Sequence, residues 1–179
     1  MKILRLFSFV FFLFLLSCSS EDKPLIDIAN LTGTWNLQSF DTDIKTTFNL
    51  QGIPISSDTE VIAQDIQLQI SFSENPDIVT SNGSYTLVIT TTVLTETETE
   101  EIIGTDDLLS GTWSATPEFI IIQSNGSENL DFLELQSVSY RIIELSASRL
   151  ELRADFSTSR TVEGIETDSK IKSKLVMTR

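Results

Sequence analysis

The 179-residue sequence contains no histidine and a single cysteine. The absence of histidine excludes Ser-His-Asp and Cys-His catalysis and every metal site with an imidazole ligand. A single cysteine excludes a disulfide framework within the chain. Glycine and proline are scarce, with 7 and 4 residues, and there is no GxSxG elbow, Gly-rich phosphate loop or GxGxxG segment. We therefore expect a protein that is not an enzyme and that needs no cofactor or metal.

Basic side chains are also few. Lys and Arg together number 12 against 26 Asp and Glu, which gives a formal net charge of −14. A chain of this charge repels phosphates, so nucleic acid is not an expected partner. Two carboxylates could still serve a hydrolase as acid and base. However, no spacing singles out one pair among so many acids.

Long apolar runs are confined to the N-terminus. Lys2 and Arg5 precede an almost wholly apolar stretch over residues 7–16, and polar residues follow at once. This stretch is shorter than the roughly 20 residues that a membrane span needs. The pattern predicts a secretory signal peptide over residues 1–17.

The one cysteine ends this leader. Leu15, Leu16, Ser17 and Cys18 form a run that resembles the lipobox of bacterial lipoproteins. The resemblance implies cleavage before Cys18 and attachment of acyl chains (palmitate among them) to Cys18, which would anchor the protein in a membrane. Several buried acyl chains hold firmly, because each buried methylene contributes about 0.8 kcal/mol. The alternative is that Cys18 lies by chance at the end of an ordinary secretory signal.

Residues 18–30 are predicted to be the acylated cysteine and a flexible tether. Glu21 and Asp22 follow two serines, which resembles the acidic signal that sends some Gram-negative lipoproteins to the cell surface. The alternative is a solvated tether that carries no sorting signal. We expect a lipid anchor in the outer membrane, with the protein exposed on the cell surface or facing the periplasm.

The rest of the chain alternates apolar and polar residues with period two, which predicts β-strands with one buried face. The clearest segments lie over residues 66–72, 85–93 and 150–156. Asn-Gly pairs at 82–83 and 125–126 predict tight turns. The sequence predicts an all-β antiparallel meander of about 8–10 strands, closed into a barrel that leaves no exposed edge.

Residues 90–101 read TTTVLTETETEE. The alternation predicts a long strand that extends beyond the core with its glutamates outward, as the solvated edge of a hairpin. The alternative is an acidic rim that holds calcium or a cationic partner. No segment has the DxDxDG spacing of a calcium loop, so the sequence predicts no metal site.

Gly33, Thr34 and Trp35 follow the tether, and the triplet recurs at Gly111, Thr112 and Trp113. With the later segment at 139–152, this order resembles the lipocalin-like domain family of bacterial envelope lipoproteins. The resemblance covers residues 31–179. The repeated triplet also admits two small domains divided near residue 108, but the second would be marginal in size for an all-β unit.

The resemblance implies a barrel whose cavity opens at one end. Gly33 and Trp35 would belong to the motif that closes the barrel, and a late basic residue (Arg153, Arg160 or Arg179) would pack on Trp35. The candidate cavity or core residues are Trp113, Phe72, Tyr85, Leu87, Ile89, Leu152 and Phe156.

The expected function is binding of a small apolar or amphipathic ligand by this barrel, at the outer membrane. The alternative is a non-catalytic envelope accessory protein that contacts a protein or glycan partner through its outer surface.

Overall fold

The computed structural model describes residues 26–50, 52–106, 108–124, 137–162 and 164–179. Cys18, the leader and the Asn-Gly pair at 125–126 lie outside the described residues. A 3₁₀ turn at Ile28–Asn30 precedes the first strand. The described strands are β1 (Gly33–Leu50), β2 (Ile53–Ser73), β3 (Ile78–Val93), β4 (Glu96–Thr105), β5 (Gly111–Ala115), β6 (Phe119–Ser124), β7 (Ser137–Leu145), β8 (Arg149–Val162) and β9 (Ile165–Thr178).

These strands form one antiparallel sheet that returns on itself. The order is β2-β1-β9-β8-β7-β6-β5-β3-β4, and β2 also pairs with β3. Strands β4 and β5 lie end to end along β3, β4 beside residues 84–93 and β5 beside residues 78–79. The expectation of an all-β antiparallel protein is confirmed, and the strands ring round a common inner face.

Period-two alternation explains which side chains reach this inner face, but β1 changes phase along its length. Trp35 and Leu37 are buried at odd positions, whereas Phe40, Thr42 and Ile44 are buried at even positions. The pairing with β9 shifts register between residues 37 and 39, and the pairing with β2 shifts between residues 36 and 41. An irregularity of this kind bends a strand and re-aims its side chains. One long strand can therefore keep apolar residues on the inner face at both ends.

The Asn-Gly pair at 82–83 was wrongly predicted to be a turn, since both residues lie inside β3. Gly83 has a φ of +130°, and a Cβ there would lie 1.9 Å from the carbonyl oxygen of Gln67. The glycine is thus required by close strand contact at the irregularity between Gln64 and Gln67. The same sequence signal, tolerance of positive φ, serves a turn or a bulge equally well.

Residues 90–101 form a hairpin rather than one strand. β3 ends at Val93, a turn follows, and β4 begins at Glu96. Glu98 lies directly opposite Thr91 in the register of β3 and β4. Directly opposite residues in an antiparallel pair share a face. The glutamates at 96, 98 and 100 are exposed, but they continue the inner face of the sheet rather than its outer face.

Candidate functional site

Trp35 lies at one end of the ring of strands. Its side chain is fully buried, and its indole N–H donates a hydrogen bond of 2.8 Å to the carbonyl oxygen of Leu31. Leu31, also fully buried, ends the 3₁₀ turn that Asp27 caps by accepting a hydrogen bond from the amide of Ala29. The chain before β1 is thereby folded across the end of the sheet, next to Trp35.

Arg179, the last residue, completes this end. Its guanidinium carbon lies 3.9 Å from the centroid of the Trp35 ring. Its Nη2 atom donates to the carbonyl oxygens of Asn30, Leu31 and Thr32 at 2.8, 3.3 and 2.7 Å. A cation stacked on indole is held by the ring quadrupole, and hydrogen bonds from a charged donor are stronger than neutral ones. The Arg179 side chain therefore ties the 3₁₀ turn to Trp35 of β1 and to the end of β9.

Among the three basic residues left open by the sequence, Arg179 contacts Trp35. Arg153 instead donates to Glu151 at 2.7 Å, and Arg160 lies exposed on β8. Gly33 has a φ of +120°, and a Cβ there would lie 3.4 Å from Nη2 of Arg179. Register explains the outcome, because Thr178 pairs with Asn36. Closure of the sheet between its first and last strands brings the C-terminal residue to Trp35.

The predicted cavity or core residues all lie in or against the apolar cluster. Trp113 contacts Phe72 edge to face, with 5.9 Å between ring centroids, and donates its indole N–H to the carbonyl oxygen of Ser73 at 3.0 Å. Ile89 and Phe156 are half-buried at the margin of the cluster, farther from Trp35. The fully or almost fully buried members are Trp113, Phe72, Tyr85, Leu87 and Leu152.

Farther from Trp35, the inner face carries hydroxyl groups. The Thr42 hydroxyl donates to Ser173 Oγ at 2.9 Å in a buried position. Two further pairs follow on the same face, Thr46 with Ser169 at 3.0 Å and Thr59 with Thr91 at 3.0 Å, and both are partly buried. Strand register places these hydroxyls around Ile44, which is opposite Thr59 on one side and Ile171 on the other. Sequence reasoning missed this lining, because the period-two alternation assigned polar residues to the solvated face.

Tyr140 joins the same lining from β7. Its side chain is buried and hydrogen-bonds to Ser173, and burial raises the pKa of Tyr140 to about 12. The phenol therefore stays neutral at physiological pH. In the part of the chain that the structure describes, this region of the inner face offers neutral donors and acceptors, with the exposed glutamates of β4 and Arg160 of β8 at its margin.

The described residues contain no group of three or more Cys, Asp or Glu side chains placed to hold a metal ion. Two pairs of acids in the described strands lie directly opposite each other in register, Asp43 with Glu60 and Glu144 with Glu151. A general acid is usually a carboxylic acid kept protonated by a hydrophobic pocket. Asp43, Glu60 and Glu144 are exposed, and the hydrogen bond from Arg153 lowers the pKa of buried Glu151. Neither pair therefore resembles a hydrolytic pair.

The hairpin tips at the end opposite Trp35 expose large apolar side chains. Leu50 and Ile53 flank the β1–β2 turn, with 46% and 65% of their surface exposed, and Leu94 in the β3–β4 turn is 79% exposed. Register places both tips at the same end, because Val93 pairs with Ser57 near the start of β2. These residues form an apolar tip, defined by Leu50, Ile53 and Leu94.

Comparisons with protein-family models, with curated proteins and with solved structures found no match for this chain. Within residues 26–179, apart from the stretches left undescribed, no helix has the length and apolar character needed to cross a membrane. The lipocalin-like resemblance and the lipid anchor therefore remain predictions.

Proposed function

We propose that this chain is an outer-membrane-anchored lipoprotein whose strands form a lipocalin-like barrel that binds a small amphipathic ligand. The observation that carries the proposal is the contrast along one inner face. Trp35 and Arg179 pack together at one end, and paired hydroxyls line the other. Ligand sites are concave and mostly apolar, with a few placed polar groups, and this inner face combines both.

The hydroxyl pairs refine the class of ligand. Thr46 and Thr59 are paired and partly buried, and each pair of hydroxyls keeps further capacity to accept hydrogen bonds. A purely apolar molecule against them would cut this remaining capacity off from water, which costs free energy. A ligand with a neutral hydroxyl, carbonyl or amide group could bond to them while its apolar part contacts Ile44 and Ile171. Of the two ligand types expected from the sequence, the amphipathic one is favoured.

Native mass spectrometry of the protein purified from its own host's envelope tests this proposal. We expect a reproducible extra mass that leaves on mild denaturation. The matched variants are Thr59→Val, which removes an inner hydroxyl, and Thr92→Val, which removes a hydroxyl on the outer face of β3. Loss of the extra mass in the first variant alone supports the inner site. A clean apo mass, repeated after incubation with envelope lipid extract, contradicts it.

The anchor is tested separately. Labelled palmitate supplied to cells should enter the wild-type protein but not a Cys18→Ser variant. Equal incorporation of the label into both proteins would contradict acylation at Cys18.

A second function is favoured by the apolar tip. Exposed large apolar side chains are a feature of interaction sites, and Leu50, Ile53 and Leu94 lie at the end away from residue 26, where the tether would enter. In this alternative the protein contacts an envelope partner through its tip. Crosslinking in cells from a photoreactive residue at position 94, with position 118 as an exposed control, would distinguish the alternatives. A specific adduct from position 94 alone supports a partner.

A further inference from the structure

A groove of about 510 Å³ lies on the outer face of the sheet, separate from the inner face considered above. It crosses β9, β1, β2 and β3, and its floor is the backbone around Ile44. Its volume falls within the roughly 300–1,000 Å³ of small-molecule sites. The charged residues along it are Lys170 and Lys172 on β9, Asp43 and Lys45 on β1, and Asp58 and Glu60 on β2.

The charges in this groove include two like-charged pairs. Lys45 lies directly opposite Lys170, and Asp43 lies directly opposite Glu60. Like charges directly opposite on neighbouring strands destabilise a sheet. Like charges also lie opposite each other outside the groove, at Arg141 with Arg153, Arg153 with Lys174 and Glu144 with Glu151. The two pairs at Lys45 and Asp43 differ from these because they line a groove.

Each like-charged pair also has an opposite charge beside it, since Asp43 lies directly opposite Lys172 on β9. Lys45 pairs with Asp58 at 3.1 Å across the β1–β2 ladder, and Lys174, just beyond the groove, is opposite Asp41. Lys170 has only Lys45 and Ser157 opposite it. Among the ion pairs within 4.0 Å formed by the described residues, none includes Lys170.

The two like-charged pairs differ in sign and occupy diagonal corners of the groove. They are offset by one strand spacing and by two residues along β1, so their midpoints are about 8 Å apart, from strand spacings of about 4.8 Å and rises of about 3.4 Å per residue. The lining carries three ammonium and three carboxylate groups, which favours a ligand that is neutral overall.

We propose that this outer groove binds a zwitterion of the size of a short peptide. Its carboxylate lies between Lys45 and Lys170, and its ammonium group lies between Asp43 and Glu60. Each end of such a ligand relieves one like-charge repulsion, and a di- or tripeptide has the required separation at about 3.4 Å per residue. The hydroxyls of Thr90 and Thr92 at the β3 side are available to its peptide groups.

The test uses the full chain in neutral detergent micelles, titrated with trialanine and followed by backbone amide shifts in NMR spectra. We expect saturable shifts at residues 43–45, 58–60 and 170–172. N-acetyl trialanine and trialanine amide each lack one charge and should bind at least about threefold more weakly, the order of an exposed ion pair. Raising the salt concentration should also weaken the binding of trialanine.

The variant Lys170→Glu separates binding from folding. It replaces the Lys45–Lys170 repulsion with an attraction, so its thermal midpoint should be unchanged or higher while its affinity for trialanine falls about threefold or more. Glu60→Gln should weaken the binding of trialanine and leave the binding of N-acetyl trialanine unchanged. The matched control is Lys174→Gln, on the same strand and face but outside the groove.

Four results would overturn the proposal. The first is equal binding of trialanine and its capped forms. The second is an affinity that Lys174→Gln lowers as much as Lys170→Glu does. The third is the absence of backbone amide shifts at the groove residues when trialanine is added up to its solubility limit. Concentration-dependent dimerisation abolished by Lys170→Glu would also overturn it, and would assign the face to a second copy of the chain.

Discussion

The two ends of the ring of strands differ in what occupies their inner face. At one end, Trp35, Leu31 and Leu175 are fully buried, and Arg179 lies across the indole. At the other end, hydroxyls pair with one another and the hairpin tips expose Leu50 and Leu94. Apolar burial and charged hydrogen bonds concentrate at the first end. The first end therefore holds the fold together, while the second can change its contacts at a small cost in free energy.

The largest effect is expected at Trp35. Replacement by Ala removes a fully buried indole and the surface on which Arg179 stacks, so the free energy of unfolding should fall by about 3–5 kcal/mol. Urea denaturation measures it, with Leu94→Ala at the exposed tip as the control. A loss at Trp35 no larger than that at Leu94 would show that the packed end does not dominate stability.

Arg179 is expected to come second. Arg179→Ala removes one cationic stack and three hydrogen bonds to carbonyl groups, two of them 2.8 Å or shorter, and should cost about 1.5–3 kcal/mol. Arg179→Lys should recover only part of this, because an ammonium group lacks the planar fork of guanidinium. Full recovery by lysine would mean that charge alone, without the stacked geometry, accounts for the contact.

Glu151 should make stability depend on pH. The Arg153 guanidinium lowers the pKa of Glu151 against the opposing effect of burial, and Arg149, Lys174 and the charge of Arg153 lower it further. A carboxylate with a lowered folded pKa stabilises the fold above its unfolded pKa of about 4.3 and loses that contribution as pH falls through the folded value.

We therefore expect Glu151→Gln to reduce the free energy of unfolding by about 1 kcal/mol at pH 7. The difference from wild type should shrink toward zero as the pH falls below 4. Denaturation at a series of pH values measures both. A difference that stays constant from pH 7 to pH 3 would be inconsistent with an ionised Glu151 between the two arginines.

The smallest effects are expected among the inner hydroxyls, and they should be graded by burial. Thr42→Val breaks the buried bond to Ser173 and should cost about 1 kcal/mol, whereas Thr46→Val at a partly buried pair should cost under about 0.5 kcal/mol. Urea denaturation of the two variants compares them. Equal costs would place both pairs in equally dry surroundings.

Much of the fold could be predicted from local sequence, because alternating apolar and polar residues indicate a strand with one buried face. The segments 66–72, 85–93 and 150–156 all fall within observed strands. The phase change in β1 and the place of Gly83 could not be predicted, since both depend on contacts with distant strands such as that between Gly83 and Gln67. Local sequence does not distinguish a bulge from a turn.

The site was less predictable than the fold. Trp35 was singled out by its motif, but Arg179 could not be chosen over Arg153 and Arg160 until the pairing of β1 with β9 was known. The like-charged pairs of the outer groove could not be predicted from the sequence for the same reason. Lys45 and Lys170 are 125 positions apart and become neighbours only through register.

The most direct test of the division between the two ends is hydrogen exchange, measured by mass spectrometry on the protein as purified from its host and again after extraction of bound small molecules. We predict that extraction lowers protection at residues 44–48, 55–59, 89–93 and 167–171, and leaves residues 35–37 and 175–177 protected. Equal changes at both ends, or no change at either, would contradict a packed end that holds the fold and an opposite end that binds the ligand.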